Sequence, residues 1–324
     1  MLQTARTGSR TSAWSVAEAE AAPGERSAAA AADATPPLRP FDADTAVREL
    51  GRDGGGEQPL RAEFAAEVSP DWRAGRGPHG GYLAAILMRA LIQTVADAER
   101  APRSLTIHYA RAPEPGPVSI VARIERAGRS LSTLSARMEQ EGKLIALALA
   151  AFSVTWSAQE VLELPMPEVE PPDAVRDAAV SLVENAPPFT RHIVVQGRIG
   201  ARPFKGSEAP MEVGAWLGLA EPRAIDAISL AFFSDALFSP PFIRLTEPST
   251  TPTVDLTVHF RKPLAPVPTA VVGDAPPPHE LCFARFRTGL IQDGFFEEDG
   301  VIWAEDGTVL AQSRQLGIVL RLNR

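Results

Sequence analysis

Polar side chains interrupt three otherwise apolar stretches in the second half of the chain. Asp235 falls within AISLAFFSDALF, on the same helical stripe as Phe232. A buried carboxylate without partners costs several kcal/mol, so an acid kept at this position calls for a chemical reason. Thr253 opens the strand-like stretch TVDLTVHF, and Gln315 lies in the last strand-like stretch, TVLAQSRQLGIVLRL.

These three residue types together suit the activation of a water molecule. A carboxylate can take a proton from water, while a hydroxyl and an amide can hold the remaining donors and acceptors of that water. No Ser-His-Asp or Cys-His spacing stands out and no GxSxG motif occurs, so a covalent nucleophile fits less well. Each residue alone also has an ordinary structural use: Asp235 as a cap or an arginine partner, Thr253 as a strand former, and Gln315 as a solvated side chain.

A second candidate site is the sequence GPHGGY at 77–82, which opens a long apolar helix. Gly80 and Gly81 would leave backbone N–H groups uncovered at the positive end of the helix dipole. Such a helix start can bind an oxyanion or a thioester carbonyl oxygen. The alternative is that the two glycines only permit close packing of the helix. His79 would be either a substrate contact or a surface histidine.

The elements that must position these residues occur twice along the chain. LTIHY at 105–109 recurs as LTVHF at 256–260, an offset of 151, and EGKLIALAL at 141–149 recurs as DGTVLAQSR at 306–314, an offset of 165. Strand-like stretches and one apolar helix follow the same order in both halves. One unit is therefore a long antiparallel sheet wrapped around a buried helix. We expect the two units to pair edge to edge, which would extend the sheet.

The repeat also shows where the two halves differ chemically. Asp235, Thr253 and Gln315 stand in the second copy where the first copy is apolar, at 90–92, Pro102 and Ala150. Their coincidence in one copy favours a functional site over three unrelated structural roles.

Composition changes along the chain predict the domain boundaries. Residues 1–40 are rich in Ala, Ser and Pro and are expected to be a disordered tail. Residues 41–160 form the first unit, the Pro-rich and acidic stretch 161–187 a linker, and 188–324 the second unit. FDADTAVREL, at the start of the first unit, is expected to be a short helix capped by Asp42 or Asp44.

Charge and cysteine content exclude several classes of protein. A net charge of −8 with scattered basic residues argues against nucleic acid as a partner. The single cysteine, Cys282, rules out intrachain disulfides and argues against a cysteine metal site. No apolar run is long enough to span a bilayer and the N-terminus lacks a secretory core, so no stable membrane insertion and a cytoplasmic location are expected.

Six stretches together resemble the bacterial acyl-CoA thioesterase II family and the wider thioesterase-like superfamily. The resemblance covers about residues 41–324 and rests on GPHGGYLAA, SLTIHYARAPEPGPV, GRSLSTLSARMEQEGKLIALALAAF, LAFFSDALF, TVDLTVHFRKPL and LAQSRQLGIVL. It implies an α+β fold, the tandem or double hotdog, with two antiparallel sheets each wrapped around a long central helix. It also implies that Asp235, Thr253 and Gln315 hold and orient a hydrolytic water.

The resemblance implies an acyl-CoA thioesterase that releases free fatty acid and CoA. Its substrate would be acyl-CoA. From the helix start and the apolar second helix we expect His79, Gly80, Gly81 and Phe232 to contact the substrate, with the acyl chain in an apolar tunnel beside the second helix. No metal and no organic cofactor are implied, and the resemblance leaves room for a homo-oligomer. One departure is that VDLTVHF keeps the family's acid, Asp255, without the histidine that usually follows it.

Three other interpretations compete with the thioesterase. A non-catalytic acyl-CoA or lipid-binding protein could have kept the same double-hotdog fold. A hotdog hydratase would carry a catalytic Asp and His several residues apart, and no such pair is found. In a purely structural protein, Asp235 would pair with an arginine.

Overall fold

The computed structural model describes residues 41–55, 58–173, 186–264 and 279–322. The expected disordered tail, 1–40, lies outside the described residues, as does the 174–185 part of the expected linker. Three α-helices are present in the described residues: α1 Phe41–Asp44, α2 Gly80–Val95 and α3 Ala227–Phe233. Short 3-10 turns cover Pro70–Trp72, Pro188–His192 and Pro240–Ile243.

Most strands belong to one antiparallel sheet of 13 strands. In chain order the strands are β1 Val47–Gly55, β2 Gln58–Val68, β3 Arg73–Ala74, β4 Gly77–Pro78, β5 Ala101–Tyr109, β6 Gly116–Ala127, β7 Leu131–Gln140, β8 Lys143–Ser153, β9 Ile193–Ile199, β10 Glu212–Leu219, β11 Ser249–Thr250, β12 Thr253–Phe260, β13 Cys282–Arg287, β14 Ile291–Gln292, β15 Phe295–Ala304, β16 Val309–Ile318 and β17 Leu320–Arg321. The sheet runs β1-β2-β6-β7-β8-β5-β12-β16-β15-β13-β10-β9, with β14 paired to β15. Two small sheets, β3-β4 and β11-β17, lie apart from it.

The two halves of the chain meet where β5 pairs with β12, so the expected edge-to-edge pairing is confirmed. Thr106 lies directly opposite Thr257 in this pair, and their hydroxyl oxygens are 3.0 Å apart. The two threonines are separated by 151 residues, which is the offset of the LTIHY–LTVHF repeat. Equivalent residues of the two repeats therefore face each other across a local pseudo-two-fold axis.

The expectation of two sheets, each around a long helix, needs correction. The β5–β12 pairing makes one continuous sheet, and only α2, with 16 residues, is long. The second helix, α3, has 7 residues and ends before Asp235. Its backbone tightens there into i→i−3 hydrogen bonds, from Asp235 N to Phe232 O and from Ala236 N to Phe233 O, both 3.2 Å. The Pro240–Pro241 pair that follows cannot continue a helix.

Helices α2 and α3 pack against each other within the main core. The start of α2 approaches the end of α3 so closely that a Cβ on Gly81 would lie 2.4 Å from the carbonyl oxygen of Phe232. Glycine is therefore required at this contact. A purely steric role for Gly81 and a role in a site are both compatible with this geometry.

The N-terminal segment differs from the expected short helix. Only α1, one turn long, is helical, and the chain then enters edge strand β1, whose side chains from Arg48 to Asp53 are almost all exposed. Charged side chains on an edge strand discourage pairing with other molecules. Asp42 does not cap a helix; it pairs with Arg89 of α2 (2.6 Å) and with Arg223 (3.0 Å).

Those ion pairs extend into a buried group that we call the ion network: Asp42, Arg89, Arg223 and Asp226. Arg223 donates two hydrogen bonds to the carboxylate of Asp226, 3.1 and 2.9 Å long. Asp226 in turn accepts from the backbone N–H groups of Ile228 and Ser229 and thereby caps α3. The network ties α1, α2 and the start of α3 together.

The described part of the expected linker is packed against the second half of the sheet. The indole N–H of Trp303 donates to the carbonyl of Leu164 (3.1 Å), and that of Trp216 donates to the carbonyl of Glu170 (2.9 Å). Side chains of this segment cover a small apolar cluster separate from the main core: Val194, Trp216, Leu281, Phe283 and Trp303. Among the described residues, helices of the length and apolarity needed to cross a bilayer do not occur.

Candidate active site

Asp235 follows α3 in the second half of the chain, and its side chain lies at the N-terminus of α2, which belongs to the first half. Its Oδ2 accepts a hydrogen bond from the backbone N–H of Gly81, 2.9 Å long. The residue before the helix, His79, gives α2 no side-chain cap, so Asp235 occupies the place of the capping anion. The structure thus brings together the two candidate sites, the acid and the glycine pair, that the sequence left separate.

The carboxylate fits there because Gly80 has no side chain. A Cβ on Gly80 would lie 2.7 Å from Oδ2 of Asp235. The hydrogen bond from Gly81 and the open space at Gly80 therefore form one seat for the carboxylate. The N–H of Gly80 has no acceptor in the part of the chain that the structure describes.

Burial raises the pKa of Asp235 above its ordinary value. His79, when it is protonated, acts in the opposite direction, as do the N–H of Gly81 and the side-chain amide of Gln315, because each favours the carboxylate. The outcome is an acid that binds its proton more tightly than an exposed aspartate does, and is therefore a stronger base when ionised.

His79 is buried, with 4% of its surface exposed, and contacts Asp235 rather than solvent. Its Nε2 lies 2.8 Å from the backbone carbonyl oxygen of Asp235 and 3.8 Å from Oδ2. Since a carbonyl only accepts, Nε2 carries the proton. Burial lowers the pKa of His79, against the effect of Asp235, so the ring is neutral near pH 7. The surface alternative for His79 is wrong.

Tyr109 is a further polar residue at this helix start and was not predicted from the sequence. Its hydroxyl donates to the carbonyl of Gly80, 2.9 Å away, and burial together with the charge of Asp235 raises its pKa well above the ordinary value. The signal was present in the repeat, because Tyr109 of LTIHY corresponds to Phe260 of LTVHF. The two copies differ there by one hydroxyl.

Thr253 and Gln315 are joined by a hydrogen bond. The Thr253 hydroxyl, at the start of β12, donates to Oε1 of Gln315 on the neighbouring strand β16, 2.9 Å away. The Gln315 amide also lies close enough to Asp235 to favour its charged form. The three residues singled out in the sequence are therefore brought into one group.

Glu298 extends this group and was not predicted from the sequence. It lies on β15 directly opposite Gln315, and its Oε1 accepts from Nε2 of Gln315 at 2.7 Å. Only 4% of its surface is exposed, and burial raises its pKa to about 8. The strand FFEEDGVIWA carried the signal: Phe296, Glu298 and Ile302 alternate on the buried face.

Phe232 is fully buried, in ring contact with Phe41, Trp72 and His79. Its assignment as a substrate contact, like that of His79, stays a prediction. Among the described residues, His, Cys, Asp and Glu side chains do not gather in threes that could hold a metal ion.

Solved structures similar to this chain share its architecture. A conserved protein of unknown function with a hot dog fold from Alicyclobacillus acidocaldarius is 25% identical, with a TM-score of 0.70, and the match covers 87% of this chain and 98% of that one. A thioesterase II candidate from Thermobifida fusca is also 25% identical, with a TM-score of 0.69 and coverage of 88% and 99%. An acyl-CoA thioesterase II from Mycobacterium marinum, at 17% identity, a TM-score of 0.62 and coverage of 87% and 98%, shares the fold.

Sequence models of protein families identify the two halves separately. The acyl-CoA thioesterase N-terminal domain matches residues 68–153, and the acyl-CoA thioesterase C-terminal domain matches residues 164–319. No curated protein sequence matches the chain. The two domain matches lie in the order their names require and together span most of the described residues. The chain therefore belongs to the acyl-CoA thioesterase family.

Proposed function

We propose that this protein hydrolyses acyl-CoA to a free fatty acid and CoA, using a water molecule held by Asp235, Thr253 and Gln315. The observation that supports this most directly is the seating of Asp235: a buried carboxylate at the start of α2, within reach of the Gln315 amide. Family membership supports thioester hydrolysis, and the polar group supports water as the nucleophile.

The proposed reaction begins with the water bound between Asp235 and Thr253. The Thr253 hydroxyl proton is engaged by Gln315, so its oxygen faces the water as an acceptor. Asp235 is an acceptor too, and the water then directs both protons to the protein and a lone pair to the thioester carbon. As the C–O bond forms, Asp235 takes one proton. The C–S bond then breaks, and that proton passes to the departing CoA sulfur.

The backbone N–H groups of Gly80 and Gly81 have different roles in this mechanism. Gly81 N–H holds Asp235. Gly80 N–H, at the positive end of the α2 dipole, is directed at the carbonyl oxygen as it becomes an oxyanion. The acyl chain would run along the apolar side chains beside α3, and contact with Phe232 would require a local opening of the core around it.

The test is release of free thiol from a panel of acyl-CoAs of short to long chain, with acyl carrier protein thioesters alongside. Asp235→Asn should lower kcat by about 100-fold or more while the protein stays folded. Asp293→Asn is the matched control, because Asp293 lies exposed in a turn at a positive φ that asparagine tolerates. Equal turnover by wild type and Asp235→Asn would rule out the catalytic assignment. Acyl-CoA binding without turnover would favour the non-catalytic binding protein.

A further inference from the structure

A buried glutamate directly beside the proposed water site takes no part in the mechanism above. Glu298 has one contact to the site, through Nε2 of Gln315, and one away from it: its Oε2 lies 3.4 Å from the hydroxyl of Ser239 in the segment after α3. Ser239 is itself buried. Both carboxyl oxygens therefore have a defined partner.

The orientation of the Gln315 amide depends on this contact. An amide can present either its oxygen or its NH2 group to a neighbour by rotating half a turn. The NH2 of Gln315 faces Oε1 of Glu298, and Oε1 of Gln315 faces Thr253. With the proton of neutral Glu298 on Oε2, beside Ser239, Oε1 of Glu298 accepts in both protonation states and keeps the amide in this orientation. The Thr253 hydroxyl must then donate to Gln315, which leaves its lone pairs for the water.

We infer that Glu298 is a positioning residue, which fixes the direction of the hydrogen bonds Thr253→Gln315→Glu298 and through them the orientation of the hydrolytic water. This inference rests on the proposed function. It assigns Glu298 no contact with substrate and no step in the transfer of the proton.

The charges around Glu298 make the arrangement sensitive to pH. The groups that act on it are Asp235, from the segment after α3, and Asp299, its neighbour on β15, both acidic; Gln315 of β16 and Ser239 contribute neutral hydrogen bonds. Arg314 of β16 pairs with Asp299, at 3.4 Å, and not with Glu298. Burial and these acids keep Glu298 protonated to a pKa of about 8. Its ionisation would add negative charge beside Asp235, where the oxyanion forms, and should lower kcat on the alkaline side.

Two substitutions distinguish the effect of Glu298 on the orientation of the Gln315 amide from the effect of its charge. Glu298→Leu keeps the bulk but removes the acceptor, so Gln315 is free to turn; kcat should fall by about 10- to 100-fold with KM within about twofold. Glu298→Gln keeps an acceptor for Gln315 and a donor for Ser239, and should restore kcat to within about fivefold of wild type at pH 7. It should also lose the alkaline decrease in kcat, since a glutamine does not titrate.

The side-chain NH2 signal of Gln315 in a glutamine-labelled NMR spectrum, assigned by its loss in Gln315→Glu, gives a readout without turnover. It should shift with a midpoint near pH 8 in the wild type and not in Glu298→Gln. Full kcat in Glu298→Leu, an unchanged alkaline decrease in Glu298→Gln, or a signal that does not titrate would overturn the inference. If the wild type hydrolyses no thioester, the proposed function fails, and the NMR titration alone decides whether Glu298 orients Gln315.

Discussion

Asp235 accepts a hydrogen bond from the backbone N–H of Gly81, a residue that lies 154 positions earlier in the chain. The acid comes from one repeat and the helix start from the other, so the candidate site exists only where the two repeats are packed together. A carboxylate that would be costly in an apolar helix is stabilised here by the N-terminal amide and dipole of a different helix.

Gly80→Ala tests the seat of the carboxylate. The new Cβ would lie 2.7 Å from Oδ2 of Asp235, so the carboxylate must move, and kcat should fall by about 10-fold or more. Gly51→Ala is the control, because a Cβ there meets nothing within 4 Å. Acyl-CoA hydrolysis by both variants is the measurement. Full activity in Gly80→Ala would mean that the position of Asp235 does not matter for turnover.

Tyr109→Phe removes the hydroxyl that holds the Gly80 carbonyl. The second repeat already has a phenylalanine, Phe260, at the equivalent position of β12. We expect a loss of about 1 kcal/mol in the free energy of unfolding and a several-fold lower kcat, because the helix start is less firmly held. Chemical denaturation and steady-state kinetics measure the two effects. An unchanged kcat would confine Tyr109 to a structural role.

Asp42→Asn tests the ion network. The substitution removes the negative charge between Arg89 and Arg223 and leaves the buried guanidinium of Arg89 with neutral partners, so it should lower the free energy of unfolding by about 3–5 kcal/mol. Glu208→Gln, which breaks an exposed pair with Arg244, should cost less than about 1 kcal/mol. Urea denaturation of both variants is the comparison. Equal losses would show that burial of the network adds nothing.

Stability should depend on pH through Glu298. Its pKa is about 8 in the folded protein against 4.5 for an exposed glutamate, so the folded state holds the proton more tightly. The stabilisation that this proton gives to the folded state is fully present below pH 4.5. It is lost as the pH rises toward 8, at up to about 1.4 kcal/mol per pH unit. In Glu298→Gln this slope should be absent. Denaturation at several pH values gives the free energy of unfolding of the wild type and of Glu298→Gln. The same pH dependence in both proteins would contradict the assignment.

Periodic patterns in the sequence predicted many of the strands, but not the edge strand β1 or the point at which α3 ends. The repeat predicted two units and their open edges predicted edge-to-edge pairing, which the structure forms between β5 and β12. Which strands would meet was not predicted. Residues 47–50 were expected to end a short helix but lie in β1, since an exposed edge strand need not alternate between apolar and polar residues. The second helix was expected to be long, but α3 ends at Phe233, ahead of the Pro240–Pro241 pair, because the backbone there tightens into i→i−3 hydrogen bonds.

For the site, residue types were more informative than positions. Comparison of the repeats singled out Asp235, Thr253 and Gln315, which the structure brings together, but the contact of Asp235 with Gly81 depends on helix packing between the halves. Glu298 and Tyr109 escaped because each lies in a strand whose other residues satisfy the pattern of a plain sheet. A carboxylate on the buried face of β15 was the stronger of the two signals.

The ion network has a consequence for how many substrates one chain binds. Around the pseudo-two-fold axis, the counterpart of the Asp235 seat is the start of α3 facing the middle of α2. There Asp226 already accepts from the first amides of α3, and Arg89 of α2 belongs to the same ion network through Asp42. The position related to the Asp235 site by the pseudo-two-fold axis is therefore occupied by the charged side chains of the ion network. Each chain should therefore bind a single acyl-CoA, and a titration followed by calorimetry should reach its endpoint at a one-to-one ratio.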